Sequence, residues 1–300
     1  MTEFLRILIF CIWVVGFALL IYAGQFLRQT NALAARRWAI ASSLFLGILY
    51  LFTESPLSSF VPSNSLMRNA SQWYIAAILL LTPFVSILGA RRPTNKFWSY
   101  FIVLPMIFVL GFPILVNWMG GGMDDQFSIQ PPVLIGFLFV LMMGVGNYFG
   151  TQLTLPAILA GCSVILIVVP LTTTVSPVVP VLVLAMTFPA AVAMHGLSII
   201  WAYWSLRKRS NTETGSPYNQ LWFNFQNLFG IVWAKRVAEQ INQAAESKQW
   251  QVRLELHGLV WQQTELTTEQ KTETIKELDK HLRWALLRFV EEEWIERSLK

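Results

Sequence analysis

Two places in the 300-residue chain carry side chains whose type and position could do chemistry. His195 stands in Met194-His195-Gly196, inside a long apolar run. An imidazole there could ligate a metal or haem iron, or accept a proton. The other two histidines, His257 and His281, lie near the C-terminus, so a bis-histidine haem site within one chain is excluded. The simpler reading of His195 is a neutral imidazole hydrogen-bonded to a neighbouring helix. Asp124 and Asp125 follow three glycines, Gly120 to Gly122. Paired carboxylates could hold a cation, but a calcium site needs roughly six or more oxygens. A solvated turn explains the pair better. No Ser-His-Asp order, phosphate-binding glycine loop, His-Glu-x-x-His or Cys-x-x-Cys motif is present. No catalytic residue and no cofactor are therefore expected. His195 is the weak cofactor candidate, and Asp124 and Asp125 are the weak metal candidates.

The elements around these residues are apolar. Hydrophobic residues make up 55% of the chain and charged residues 13%, about half the usual charged share. A soluble fold could not expose that mixture without aggregating. Seven stretches are long and apolar enough to cross about 30 Å of hydrocarbon. They fall at roughly 4–24, 37–53, 72–90, 97–118, 132–149, 154–171 and 180–206.

Charge orients them. Residues 1–209 hold 11 basic and 4 acidic side chains, against 11 basic and 13 acidic in residues 210–300. Nine of the first eleven basic residues form three clusters: Arg28, Arg36 and Arg37; Arg91, Arg92 and Lys96; Arg207, Lys208 and Arg209. Basic residues resist translocation, so these clusters predict an outward N-terminus and a cytoplasmic C-terminus. The positive charge is a topology signal, not a nucleic-acid footprint. Short loops and a small tail point to a bacterial cytoplasmic membrane. Gly146 with Gly150, and Ala157 with Gly161, offer small-residue seats for close helix packing.

After a turn-rich linker at 210–218 the pattern becomes that of soluble structure. Residues 219–248 read as one amphipathic helix, with Leu221, Phe225, Leu228, Phe229, Val232 and Trp233 on a continuous face. Residues 250–262 alternate like a half-buried strand, and His257-Gly258 leaves a hairpin open. Thr267 and Gln270 predict a capping box for a second helix, roughly 268–290. The expected fold is thus a seven-helix membrane bundle, residues 1–209, with a small cytoplasmic α/β domain, residues 219–300. So small a core is marginal. The Leu221, Phe225, Phe229 and Trp233 face is therefore expected to dock on the membrane surface, the bundle or a second copy. The expected function is non-enzymatic: a scaffold, assembly or regulatory protein acting through the tail, in contact with the bilayer and a protein partner or itself. The alternatives are a permease or channel component for an uncharged or weakly polar solute, and an intramembrane enzyme using His195.

Overall fold

The computed structural model describes residues 3–53, 70–90, 98–119, 127–172, 180–207, 216–262 and 267–299, without the side chains of 181, 182, 184, 185 and 268. Asp124 and Asp125 lie outside the described residues. Seven apolar helices come first: α1 (Glu3–Tyr22), α2 (Ala32–Thr53), α3 (Ala70–Leu88), α4 (Trp98–Met119), α5 (Pro131–Gly146), α6 (Thr154–Val168) and α7 (Val181–Arg207). The tail adds α8 (Pro217–Ser247), a hairpin of β1 (Val252–Glu255) and β2 (Gly258–Trp261), α9 (Thr268–Leu286) and α10 (Glu292–Leu299). The fold is therefore mostly helical, with one two-stranded sheet.

Among the described residues, six helices are long and apolar enough to cross a membrane. The seventh expected span, 132–149, is shorter: α5 has 16 residues, about 24 Å of helix. It stops at Gly146 because residues 147–150 turn. Even so, α5 runs the length of its neighbour α6. Beyond one end Ile129 pairs with Thr172, and beyond the other Asn147 and Tyr148 meet the tail.

Backbone proximity, not side-chain bulk, sets the tightest crossings. A Cβ on Gly16 of α1 would lie 2.9 Å from the carbonyl oxygen of Gly196 in α7. A Cβ on Gly144 would come within 2.7 Å of Phe84, and one on Gly47 would overlap the Trp13 ring. Trp13 also donates from Nε1 to the Ser43 carbonyl at 3.0 Å. Helix α6 is tied to α7 twice, by Ser163 Oγ donating to Ala191 O at 2.8 Å and Ser198 Oγ donating to Pro156 O at 2.7 Å. Outward, Phe101, Phe108, Val109, Ile135 and Met142 are exposed, a surface that matches hydrocarbon.

The tail departs from its predicted pattern at one residue. Helix α8 spans the expected stretch but bends at Gly230, where φ is 78° and ψ 179°. It begins at Pro217, so the last two residues of the predicted linker are already helical. The bend is sharp, and hydrogen bonds show it. Leu259 N–H donates to Asn219 Oδ1, and Leu254 N–H donates to Asn242 Oδ1. Leu254 and Leu259 are register partners across the hairpin, about 5 Å apart. In a straight helix, residues 219 and 242 would stand about 34 Å apart. The two arms of α8 therefore fold back around the hairpin. Trp222 Nε1 donating to Glu255 O and Gln226 Nε2 donating to Leu256 O complete that grip. The predicted capping box is present at Thr267 and Gln270, and the region read as strand is a hairpin.

The glycine crossing generates a test. Gly16→Val must push apart two backbones, and overpacking of this kind costs about 1–3 kcal/mol. Gly136 has no atom within 4 Å of a built Cβ, so Gly136→Ala is expected to leave stability unchanged or slightly raised. Thermal unfolding of both variants in detergent micelles reads the difference, and equal melting temperatures would refute the crossing.

Candidate functional site

The most densely hydrogen-bonded contact between bundle and tail centres on Asn147. A helix that breaks leaves backbone groups without intrahelical partners, and buried ones must find others. At Gly230 three such groups turn to one residue. Ile231 N–H donates to the Asn147 carbonyl at 2.7 Å. Val232 N–H donates to Asn147 Oδ1 at 3.0 Å, and Asn147 Nδ2 donates to Phe229 O at 3.0 Å. Asn147 is 2% exposed. Glycine is required at 230 twice over: its φ is left-handed, and a Cβ there would overlap Asn147.

Other contacts lie around this one. Trp233 Nε1 donates to Ile87 O, at the end of α3, at 2.9 Å. Gln152 N–H donates to Asn227 Oδ1 at 3.0 Å. The turn between α1 and α2 reaches the far side of the tail. There Thr30 bridges Val290, Asn31 N–H donates to Phe289 O, and Glu291 N–H donates to Gln29 O. Phe289 also packs against Phe225, Phe229 and Trp233, with ring centroids 5.0–5.3 Å away. One continuous apolar core results. It joins Leu221, Phe225, Phe229 and Trp233 of α8 to Ala32, Ile87, Tyr148 and Ala157 of the bundle.

The sequence-derived candidates fall as follows. His195 is buried in α7, and its Nε2 has no hydrogen-bond partner. The interhelical bonds on that stretch of α7 come instead from Ser163 and Ser198. Among the described residues, no three His, Cys, Asp or Glu side chains are grouped to hold a metal. A Cβ on Gly146 or Gly150 would meet nothing within 4 Å among the described residues, and Gly150 takes a left-handed φ of 80° in the turn after α5. Gly161 faces Val145 of α5, and Ala157 sits in the core shared with the tail. Asn147, a residue that no sequence motif singles out, is the post on which the tail's bend rests. The only signal for it was a lone glycine, Gly230, within an otherwise unbroken helical stripe.

Electrostatics divide the tail's arginines. Arg283 gathers Asp279, Glu292 and Glu296. Burial disfavours its charge, but the hydrogen bonds to Glu296, Asp279 and Glu292 outweigh that and hold its pKa above the ordinary value. Among the described residues, Arg297 on α10 has no such carboxylate. It donates to Arg28 O at 3.3 Å and Gln29 Oε1 at 2.8 Å.

Replacing Asn147 by leucine keeps the volume but strands Phe229 O and Val232 N–H. Each unsatisfied buried group costs about 1–3 kcal/mol, so Asn147→Leu is expected to lose about 2–6 kcal/mol and to expose the tail to limited proteolysis. Gly230→Ala is expected to do the same. Wild-type protease resistance in both would show that the junction is dispensable.

Compared with known proteins, the chain matches no family model, no curated protein and no solved structure.

Proposed function

We propose that this chain is a multi-span protein of a bacterial cytoplasmic membrane, with its N-terminus outside and its tail in the cytoplasm. On this reading all seven apolar helices span, α5 included. It acts without catalysis, as an assembly or regulatory protein working through the tail. The observation that carries this reading is the use made of the polar groups. A permease would turn Asn147, Thr154 or Ser163 toward water. Here Asn147 bonds to the tail, Thr154 Oγ1 donates to Tyr148 O and Thr151 O, and Ser163 Oγ donates to Ala191 O. An intramembrane enzyme would gather polar groups on His195, and the nearest serine bonds serve helix packing instead. The tail meanwhile offers an apolar surface. Trp284 in the last turn of α9 is 58% exposed and Leu287, just past the helix end, 39%, with the Arg288 guanidinium 4.3 Å over the Trp284 ring. Exposed aromatic and arginine side chains of this kind suit a protein partner.

Charge supports the orientation. Arg28, Arg36, Arg37 and Arg207 stand at the end of the bundle that carries the tail, and basic residues stay cytoplasmic. In a cysteine-free background, Ser128→Cys is expected to react with an impermeant thiol reagent on intact cells. Ser247→Cys should react only after permeabilisation. The reverse pattern would invert the topology.

The assembly reading is tested by crosslinking the full-length protein in its native membrane and measuring the masses formed. One dominant partner or a second copy is expected. Trp284→Glu with Leu287→Glu should weaken that species, and His195→Leu should leave it intact. A wild-type chain that stays unpartnered would sink the reading. So would proteoliposome flux of a small neutral solute that His195→Leu abolishes.

A further inference from the structure

A cavity of about 640 Å³ opens where the ends of α1 and α7 face the tail. Its aromatic walls include Tyr22, Tyr203 and Trp294, and three arginines line it: Arg28, Arg207 and Arg297. No aspartate or glutamate lines it among the described residues. Nor, among the described residues, does any of the three arginines form an ion pair there, in contrast to Arg283 with its three carboxylates. The Arg297 guanidinium is anchored at the backbone of Arg28, whose carbonyl accepts from it, and both residues line the cavity. Like charges gathered without a counter-ion call for an anion.

A second space meets the first. It is an apolar groove of about 220 Å³ that shares Tyr203, Leu206, Asn227 and Leu228 with the cavity. From there it passes between α2, α3, α6 and α7, past Ala32, Ala35, Phe84, Ala157 and Ala160. The small alanines leave the room. A charged chamber bordering an apolar slot across shared wall residues fits a molecule that is anionic at one end and aliphatic at the other. The depth also fits. Tyrosines at span ends and arginines just beyond them mark the headgroup level of a bilayer.

We propose that this pair of spaces binds one anionic glycerophospholipid, its phosphate among Arg28, Arg207 and Arg297 and one acyl chain in the alanine-walled groove. The site is built from both parts of the chain. Tyr22, Tyr203 and Arg207 belong to the bundle, while Leu228, Trp294 and Arg297 belong to the tail. A bound lipid therefore bridges the junction. This goes beyond the assembly reading and stands without it, because the site depends on the junction and not on any protein partner.

The test uses the full-length protein in detergent, with native mass spectrometry and thermal unfolding against added phosphatidylglycerol, phosphatidylcholine and glycerol phosphate. Phosphatidylglycerol is expected to be retained and to raise the melting temperature, and phosphatidylcholine to do so far less. Arg28→Gln with Arg207→Gln should weaken phosphatidylglycerol binding about 30-fold, from the usual contribution of two basic residues at an anionic surface. Both side chains are exposed, so folding should persist. Ala160→Leu fills the groove and should reduce lipid retention with all the arginines in place. Arg253→Gln, on the hairpin, serves as the control and should change nothing. Equal retention of the two lipids would overturn the proposal. So would stabilisation by glycerol phosphate equal to that by phosphatidylglycerol, or a control variant as impaired as the arginine pair.

Discussion

A backbone that breaks inside a protein must hand its unpaired groups to another partner, and here one asparagine takes three of them. The bend at Gly230 frees Phe229 O and the amides of Ile231 and Val232, and Asn147 meets all three. Neither residue can be understood alone. Gly230 without Asn147 is a destabilised helix, since glycine costs about 1 kcal/mol in a helix interior and the broken turn would bury unsatisfied groups. Asn147 without the bend is a buried amide at the end of an apolar helix. The tail's shape and its attachment are thus the same event.

The rest of the tail follows from that bend. Folding back α8 lets its two arms hold a hairpin of four-residue strands, too small to be stable alone. The apex presents Phe225, Leu228, Phe229 and Trp233 toward the bundle end, where Phe289 packs against three of those rings. A domain of about 80 residues buries relatively little of its surface. Continuity with Ala32, Ile87 and Tyr148 enlarges that core without lengthening the tail.

Local chemistry was legible in the sequence, and long-range chemistry was not. The apolar runs, the Thr267–Gln270 capping box and the alternation of Val252 and Leu254, which ends at the exposed turn residue Leu256, each report on neighbours within a few residues. The bend was invisible because Leu228, Phe229, Val232 and Trp233 keep a helical spacing across Gly230, so periodicity passes through it unbroken. Asn147 pairs with residues some eighty positions away, a relation no local pattern encodes. The small-residue motifs show the same limit. Spacing marks where a helix could approach, but only the partner decides. Gly16 and Gly196 meet each other, whereas Gly146 faces open space.

The two halves of the molecule are joined by different physics, and that difference bears on function. Inside the bundle, glycine crossings bring backbones into direct contact, as at Gly16 and Gly196, and serine hydroxyls bond to carbonyls of the adjacent helix, as at Ser163 and Ser198. Packed interiors resist small displacements. At the junction the contacts are mixed: the Asn147 cluster, Trp233 on Ile87, the Thr30–Val290 bridge, and between them a cavity lined by three arginines that pair with no carboxylate among the described residues. Charges that line an open space repel one another and keep water there, so this side of the junction gains least from burial. An anion placed among them turns repulsion into attraction. On the lipid proposal, the occupant of that space therefore acts on the tail's seat at its least compensated point, away from the tightly packed helix crossings.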